Sequence, residues 1–430
     1  MSALLLLLTL TTSLSSDSLR LGPTTTLRPQ GGRNPTLAVD PWHGTVYLAW
    51  AQHAPAAQDS TEDPALHVLL ARSEDGGRTF SEPVSVHART DRVASYTVSP
   101  TQVAVGPQGT VYVLYLHRDP TFRAPGWDWG RTSLRLTRSE DGGKTFSEPV
   151  TVGHEATEGI VTSTDMHYLF AAADGRVYIA WLDFRESLMP AANLPGGKPT
   201  TQLRVARSED GGRTFAPSVL VARSTCGCCG TRVVQGNGGP LYAATRSEWY
   251  ELKGSYDAVR DLFVSRSDDG GTSWSAPVKF HDDRFKISGC PDINPGLAVD
   301  TQGRLHAAWY TGTDRHPGIF YARSDDQGRS FSQPVALLTD TWIPYSDVRL
   351  AVEPGGMAWV VFEDRRGETD QLRVARIAPD GSVSFSAPWE GMAPDITLAD
   401  DGIVVAWHTP SGEDSNQGAV CTRRITRGLP

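Results

Sequence analysis

One phrase returns along the chain: "ARSEDGGRTFSEPV" from Ala71, "TRSEDGGKTFSEPV" from Thr137, "ARSEDGGRTFAPSV" from Ala206, "SRSDDGGTSWSAPV" from Ser265 and "ARSDDQGRSFSQPV" from Ala322. A worn copy, "ARIAPDGSVSFSAPW", begins at Ala375. The aspartates Asp75, Asp141, Asp210, Asp269 and Asp326 lie 57 to 69 residues apart, the size of one supersecondary unit, so the chain is a repeat protein. Within the phrase the Asp can accept backbone N–H bonds in a tight turn, the Gly supplies a positive φ, and the Thr or Ser with its aromatic neighbour leads into a strand.

A second phrase alternates with the first, seven times: "PTLAVDPWHGTVYLAW" from Pro35, then copies from Thr101, Tyr168, Arg232, Pro295, Val348 and Asp395. Each is an apolar strand, a Gly-containing turn and a β-rich strand. The two phrases together supply four strands per unit: A and B in the hairpin, C ending in "ARS", and D carrying "FSEPV". That is a propeller blade. The seventh unit has A, B and a C strand ("GAVCTRRI", Gly418 to Ile425) but no D, and "LRLGPTTTLRP" (Leu19 to Pro29) reads as the orphan D that completes it. The expected fold is an all-β propeller of four-stranded blades, seven of them with six as the alternative, closed by an N-terminal strand.

The start, "MSALLLLLTLTTSLSSDS", is an apolar run of signal-peptide length. It predicts a signal peptide over 1–17, a single propeller domain over 18–430, and a secreted or periplasmic protein with no membrane span in its mature form. A net charge of -9 without a basic block argues against nucleic acid or an anionic membrane as partner. A glycan or other anionic small ligand, bound by a monomer, is the expected partner.

The "S-x-D-x-G-x-T-F/W" phrase is the Asp-box, and Ser73 to Phe80 with its four clean copies resembles the BNR repeat of the sialidase superfamily. The closest likeness is to bacterial secreted sialidase-like proteins that share "C-x-C-C" and a later "G-C-P". The resemblance covers essentially all of the mature chain and implies a propeller whose Asp-boxes lie on the outside, away from catalysis. It also implies exo-glycosidase action on a terminal acidic sugar, by three carboxylate-gripping arginines, an acid/base Asp, and a Tyr nucleophile paired with a Glu. The chain departs from that family in reading "GRNPTLAVD" where sialidases carry Arg-Ile-Pro, and in offering seven units where sialidase propellers have six blades.

In a four-stranded meander the start of A and the end of B share one face, opposite the Asp turns. Before the A strands come Asp165, Cys228 and Cys229, Asp292, Tyr345 with Asp347, and Asp395; after the B strands come Arg118, Arg185, Arg246, Arg365 and Arg366. Guanidinium groups in a ring suit a carboxylate, sulfate or phosphate, and a neighbouring Asp can protonate a leaving group. The same residues also suit strand-entry caps and structural ion pairs. By analogy with sialidases, Arg185, Arg246 and Arg365 would be the clamp, Asp165 the acid/base, and Tyr345, beside Asp347, the nucleophile with Glu248 as its partner. Trp127, Trp129, Trp249 and Tyr250, in long loops after B strands, are candidates for stacking on sugar rings.

Cys226, Cys228 and Cys229 ("STCGCCGT") precede one A strand, and Cys290 ("SGCPDINP") precedes the next, which predicts one cluster on that face. A disulfide, a Cu or Zn site and a redox pair all fit the spacing. A non-hydrolytic propeller that binds metal there, or that braces a ligand- or protein-binding face, is therefore the alternative to the hydrolase. Cys421 reads as a lone buried thiol. His43, His154, His167 and His281 are scattered and suggest no second metal site. No phosphate loop, dinucleotide fingerprint or G-x-S-x-G motif is present.

Overall fold

The computed structural model describes residues 19–54, 65–122, 130–153, 163–189, 200–236, 238–250, 258–287, 289–411 and 414–426. The segment 1–17, Trp127, Trp129 and His154 lie outside the described residues, as does the side chain of Tyr250.

The described chain is β-structure apart from two short 3-10 turns, and no helix among the described residues is long and apolar enough to cross a membrane. Its unit is the antiparallel meander. Strands Thr164–Ala171, Val177–Asp183, Thr201–Ser208 and Val219–Thr225 pair in that order. The same order recurs in the sheets that begin at Arg232–Gln235 and Gly296–Val299, and, with one extra short strand, in those containing Gln102–Val105 and Val348–Val352. The remaining seven-stranded sheet joins both ends of the chain. In it the strand Arg20–Val39 pairs antiparallel with Asp414–Thr426 through its first half (Arg20 with Thr426, Gly32 with Gly418) and with Val46–His53 through its second.

The first strands of successive meanders are Arg20–Val39, Gln102–Val105, Thr164–Ala171, Arg232–Gln235, Gly296–Val299, Val348–Val352 and Met392–Ala399. Each packs on the next, and Met392–Ala399 packs on Arg20–Val39, a propeller-like arrangement. Apolar side chains fill the space between neighbouring sheets: Leu114 and Leu134 of one meet Leu169 and Trp181 of the next. The second strands carry Trp50, Trp181, Trp309, Trp359 and Trp407, all fully buried. Truncating any of them to Ala is expected to cost about 3–5 kcal/mol.

The repeated phrase folds as its residues dictate. The Asp75 carboxylate accepts N–H bonds from Arg78 (3.0 Å) and Thr79 (2.9 Å) and hydroxyl bonds from Ser73 (2.7 Å) and Thr79 (2.6 Å). Gly77 donates to the Ser73 hydroxyl at 2.8 Å. The same set recurs around Asp141, Asp210, Asp269 and Asp326. The two turn glycines have φ of 70° and 87° in the first copy, and in the fifth Gln327 takes the first position at φ 61°. The arginine of "ARS" has a role the sequence reading did not find. Arg72 donates to the Gly142 carbonyl of the following turn (3.0 Å), Arg207 to Gly270 (2.8 Å), Arg323 to Pro379 (3.2 Å), and Arg424 of the last strand to Gly76 of the first turn. The outer turns are thus tied to one another across sheets.

Candidate functional site

Opposite the Asp turns, the segments that enter first strands and leave second strands enclose a cavity of about 850 Å³. Arg33, Tyr96, Arg118 and Asp165 line one part of it; Cys228, Cys290 and Asp292 line another. Three of the first strands enter with a bulge whose residue has positive φ: Asn34 (50°), Met166 (51°) and Ala393 (48°). A bulge bends its strand and re-aims the preceding side chain, and in two of the three that side chain, Arg33 or Asp165, lines the cavity.

Asp165 is half-buried, and burial pushes its carboxyl up to about 6 against the pull of the Ser99 hydroxyl, the Met166 N–H (2.8 Å) and Arg118. Ser99 also hydrogen-bonds His167 Nδ1 at 2.9 Å, and burial lowers that imidazole to about 4, so it is neutral. Burial and the Asp165 charge raise the Tyr96 phenol, while Arg118 and Arg33 oppose them. Arg33 donates to the Ser95 carbonyl at 3.3 Å. Besides Asp292, the wall therefore offers two cations, a carboxyl group that is protonated below about pH 6, and one phenol, 41% exposed.

The expected arginine clamp is not brought together at this cavity. Arg185 is buried and forms a two-bond pair with Asp183 (2.8 and 2.9 Å), two residues away. Arg246, 1% exposed, donates to the carbonyls of Arg260 (2.5 Å) and Tyr310 (2.8 Å). Arg365 bonds Asp370 (3.2 Å) and the Tyr345 carbonyl (3.1 Å). None of the three lines the cavity. Glu248 pairs with Arg260 at 3.0 Å, and Tyr345 lies edge-on to Tyr310. Asp347 is buried, bonded to Arg349 at 2.6 Å and to the Asn294 N–H at 3.1 Å. Of the expected catalytic set, Asp165 alone lines the cavity. Trp249 stacks on Phe263 and packs against the core. Arg33 and Tyr96 were missed, although both lie in segments entering first strands, where the topology rule points.

The cysteines do come together. Cys226, Gly227, Cys228 and Cys229 make a tight turn, with the Cys229 N–H on the Cys226 carbonyl at 3.2 Å. The Gly230 N–H donates to Ile293, which fastens this turn to the "GCPDIN" segment at 3.0 Å. A Cβ at position 230 would lie 1.8 Å from Asn294 Oδ1, so any larger residue there would displace the Asn294 side chain. Cys226 Sγ lies 3.4 Å from both Cys228 Sγ and Cys229 Sγ and accepts a bond from Arg260 Nη1 at 2.8 Å. The donor atoms of Cys228, Cys290 and Asp292 lie within 4.8 Å of one another. No two of the five cysteine sulfurs stand at disulfide distance, and the 3.4 Å from Cys226 Sγ to its two neighbours is well beyond a sulfur–sulfur bond. Hydrogen bonds from Cys228 and Cys229, together with Arg260, hold the Cys226 thiol well below its usual range; the bond to Cys226 raises Cys228, and burial raises Cys229. Cys421 is buried in the last strand, as expected.

The histidines are less scattered than the sequence suggested. Two loops bring His281 and His316 to one carboxylate, Asp283, at 2.8 and 3.5 Å, and the Trp309 indole holds that carboxylate from behind at 2.8 Å. The 34 residues between the two histidines hid the grouping.

Neither a family model nor a curated protein matches the sequence. Solved structures do match. A protein of unknown function from Dyadobacter fermentans DSM 18053 is similar at 13% identity with a TM-score of 0.55, over 96% of this chain and 100% of that one. An ulvan lyase of polysaccharide lyase family PL25 is similar at 11% identity and a TM-score of 0.56, over 94% and 96%. The Hadza microbial sialidase Hz136 is similar at 17% identity and a TM-score of 0.50, over 79% of this chain and 66% of the sialidase. At these identities the likeness is one of fold: a sheet-rich, sialidase-like architecture.

Proposed function

We propose that the protein is an exported, monomeric, seven-bladed propeller closed by its N-terminal strand, and that the mouth cavity takes an acidic saccharide and cleaves it. One observation carries the reading: Arg33, Arg118, Tyr96 and Asp165 line a single cavity large enough for a sugar unit. The arginines match a sugar carboxylate or sulfate. Asp165, protonated near pH 6, is suited to give a proton to the departing glycosidic oxygen. Tyr96 stands beside that acid, in the place sequence analogy gave to Tyr345. The likeness to a sialidase and to an ulvan lyase bound to -[GlcA(1-4)Rha3S]- supports the substrate class, not the linkage.

The test is turnover and binding of sialyllactose and of uronate-containing oligosaccharides by the wild type, Asp165→Asn and Arg118→Ala. The reading expects cleavage lost in the first variant with binding kept, and binding weakened in the second. No binding of any acidic saccharide would remove it. A second reading, a non-hydrolytic face for a ligand or protein, is favoured by the engagement of Arg185, Arg246 and Arg365 in structural bonds; it expects Arg118-dependent binding without turnover.

A further inference from the structure

The cysteine cluster has a back and a front. Cys226 and Cys229 are fully buried and Cys228 is 9% exposed, whereas Cys290 and Asp292 are exposed and border the cavity with Cys228. Three sulfurs held in one four-residue turn, with a fourth sulfur and a carboxylate arriving from the next sheet, form a donor set that packing alone does not require. A buried thiol elsewhere in this chain, Cys421, sits by itself. A tetrahedral zinc–thiolate centre with bonds of about 2.3 Å has sulfurs roughly 3.8 Å apart. The 3.4 Å separations of Cys226 from Cys228 and Cys229 therefore need only a small expansion to admit an ion, while Cys290 and Asp292, grouped with Cys228, would close on it from the rim. Arg260 donates to Cys226 Sγ from outside the donor set and is itself held by Glu248, the arrangement by which a second layer orients a thiolate and offsets its charge.

We propose that Cys226, Cys228, Cys229 and Cys290, with Asp292 at the rim, bind one soft thiophilic cation, Cu(I) or Zn(II), in a site closed behind and open toward the mouth cavity. Each thiol that becomes a ligand releases its proton to solvent, so no oxidant or reductant is needed. Thiolate sulfur selects Cu(I) and Zn(II) over hard cations. The openness separates this centre from a purely structural one: structural zinc sites are closed, while sites that exchange ligands keep a position free. The ion would face whatever occupies the cavity. This inference stands independently of the saccharide reading, because it rests on different residues and is read by metal content.

The experiment uses the full exported protein, purified without reductant and then split. One half is denatured and alkylated for intact mass, to count free thiols. The other is reduced, loaded anaerobically with Cu(I) or, separately, with Zn(II), desalted, and measured for bound metal and for thiolate charge-transfer absorption. The expected result is one ion per chain in at least one arm, with the arm that retains metal after competition by a chelator identifying the ion. Because Cys226 and Cys229 are core residues whose replacement also perturbs folding, the informative substitutions are Cys290→Ser and Asp292→Asn at the exposed rim. Cys290→Ser should weaken metal binding by roughly tenfold to a hundredfold and Asp292→Asn by less, with Cys421→Ser unchanged. Two outcomes overturn the proposal: four of the five cysteines already paired as disulfides in the exported protein, or less than one ion retained in both arms with all five thiols free. Equal retention by wild type and Cys290→Ser would remove Cys290 from the site.

Discussion

The two faces of the molecule use the same residue, aspartate, under opposite conditions. On the outer turns, Asp210, Asp269 and Asp326 are drawn down to about 2. For Asp269 the hydrogen bonds of Ser273 and Ser267 do this with almost no burial; for Asp210 and Asp326 desolvation is the largest single influence and raises the carboxyl, but the same kind of bonds together outweigh it. At the mouth, burial dominates: it raises Asp165 to about 6, and burial together with Asp347 raises Glu363 to about 7. A carboxylate whose donors come from its own turn is a fastener. One enclosed by several sheets, with donors too few to offset burial, is kept ready to hold a proton. The comparison teaches which acids to expect chemistry from.

The largest effect that would sharpen the contrast is on catalysis. Asp165→Asn keeps an acceptor for the Met166 N–H but cannot donate an acid proton. Turnover of an acidic saccharide should fall about 100-fold or more, while its Kd changes little. The matching change on the other face, Asp326→Ala, should leave turnover intact. If both substitutions lowered kcat alike, the division between the faces would fail.

Next in size is ligand affinity. Arg118→Ala, which removes one cation from the cavity wall, should raise the Kd for an anionic ligand about tenfold, measured by calorimetry, and flatten its salt dependence. Arg72→Ala, which cuts a tie between outer turns, should leave that Kd alone and lower Tm instead.

Smaller, and opposite in sign on the two faces, is the pH dependence of stability. The turn aspartates have folded values near 2, below the unfolded 3.8, so their contribution is present above about pH 4 and is lost as pH falls toward 2. They are open to water, so each contributes little. Asp165 and Glu363 have folded values above their unfolded ones, so what they contribute is complete below about pH 4 and is lost as pH rises through 6 and 7. Tm measured from pH 3 to 8 should therefore peak in the acid range, and Asp165→Asn should reduce the decline on its alkaline side. A Tm profile unchanged by that substitution would mean that Asp165 is ionised throughout.

The faces also differ in how far they could be read beforehand. Every partner of Asp75 lies within four residues of it, so the turn is written locally and its copies announce the fold. The arginine ties between turns span distances such as Arg72 to Gly142, and nothing in "ARS" discloses them. At the mouth, the rule for which segments meet held for Cys226, Cys228, Cys229 and Cys290, because two adjacent units each deliver their thiols at one place. Membership of the cavity did not follow from that rule. Arg185 and Arg246 stood at the expected positions but were consumed by Asp183 and by backbone carbonyls, bonds decided by side-chain reach. Arg33 was overlooked because its aim depends on a bulge at Asn34.

Arg365 gives the smallest expected effect and the finest test. Of the three arginines first assigned to the clamp, it is the one with an appreciably exposed side chain, 37%, so its removal leaves the least buried polar surface without a partner. Its bonds go to Asp370 and to the Tyr345 carbonyl, both outside the cavity lining. Surface pairs of this kind contribute about 0–1 kcal/mol. Arg365→Ala should therefore change stability by no more than about that amount and leave anion affinity where it was, in contrast to Arg118→Ala measured beside it. A loss of affinity as large as that of Arg118→Ala would mean that the ligand reaches across the mouth to the Tyr345 side, and would return Tyr345 and Arg365 to the site.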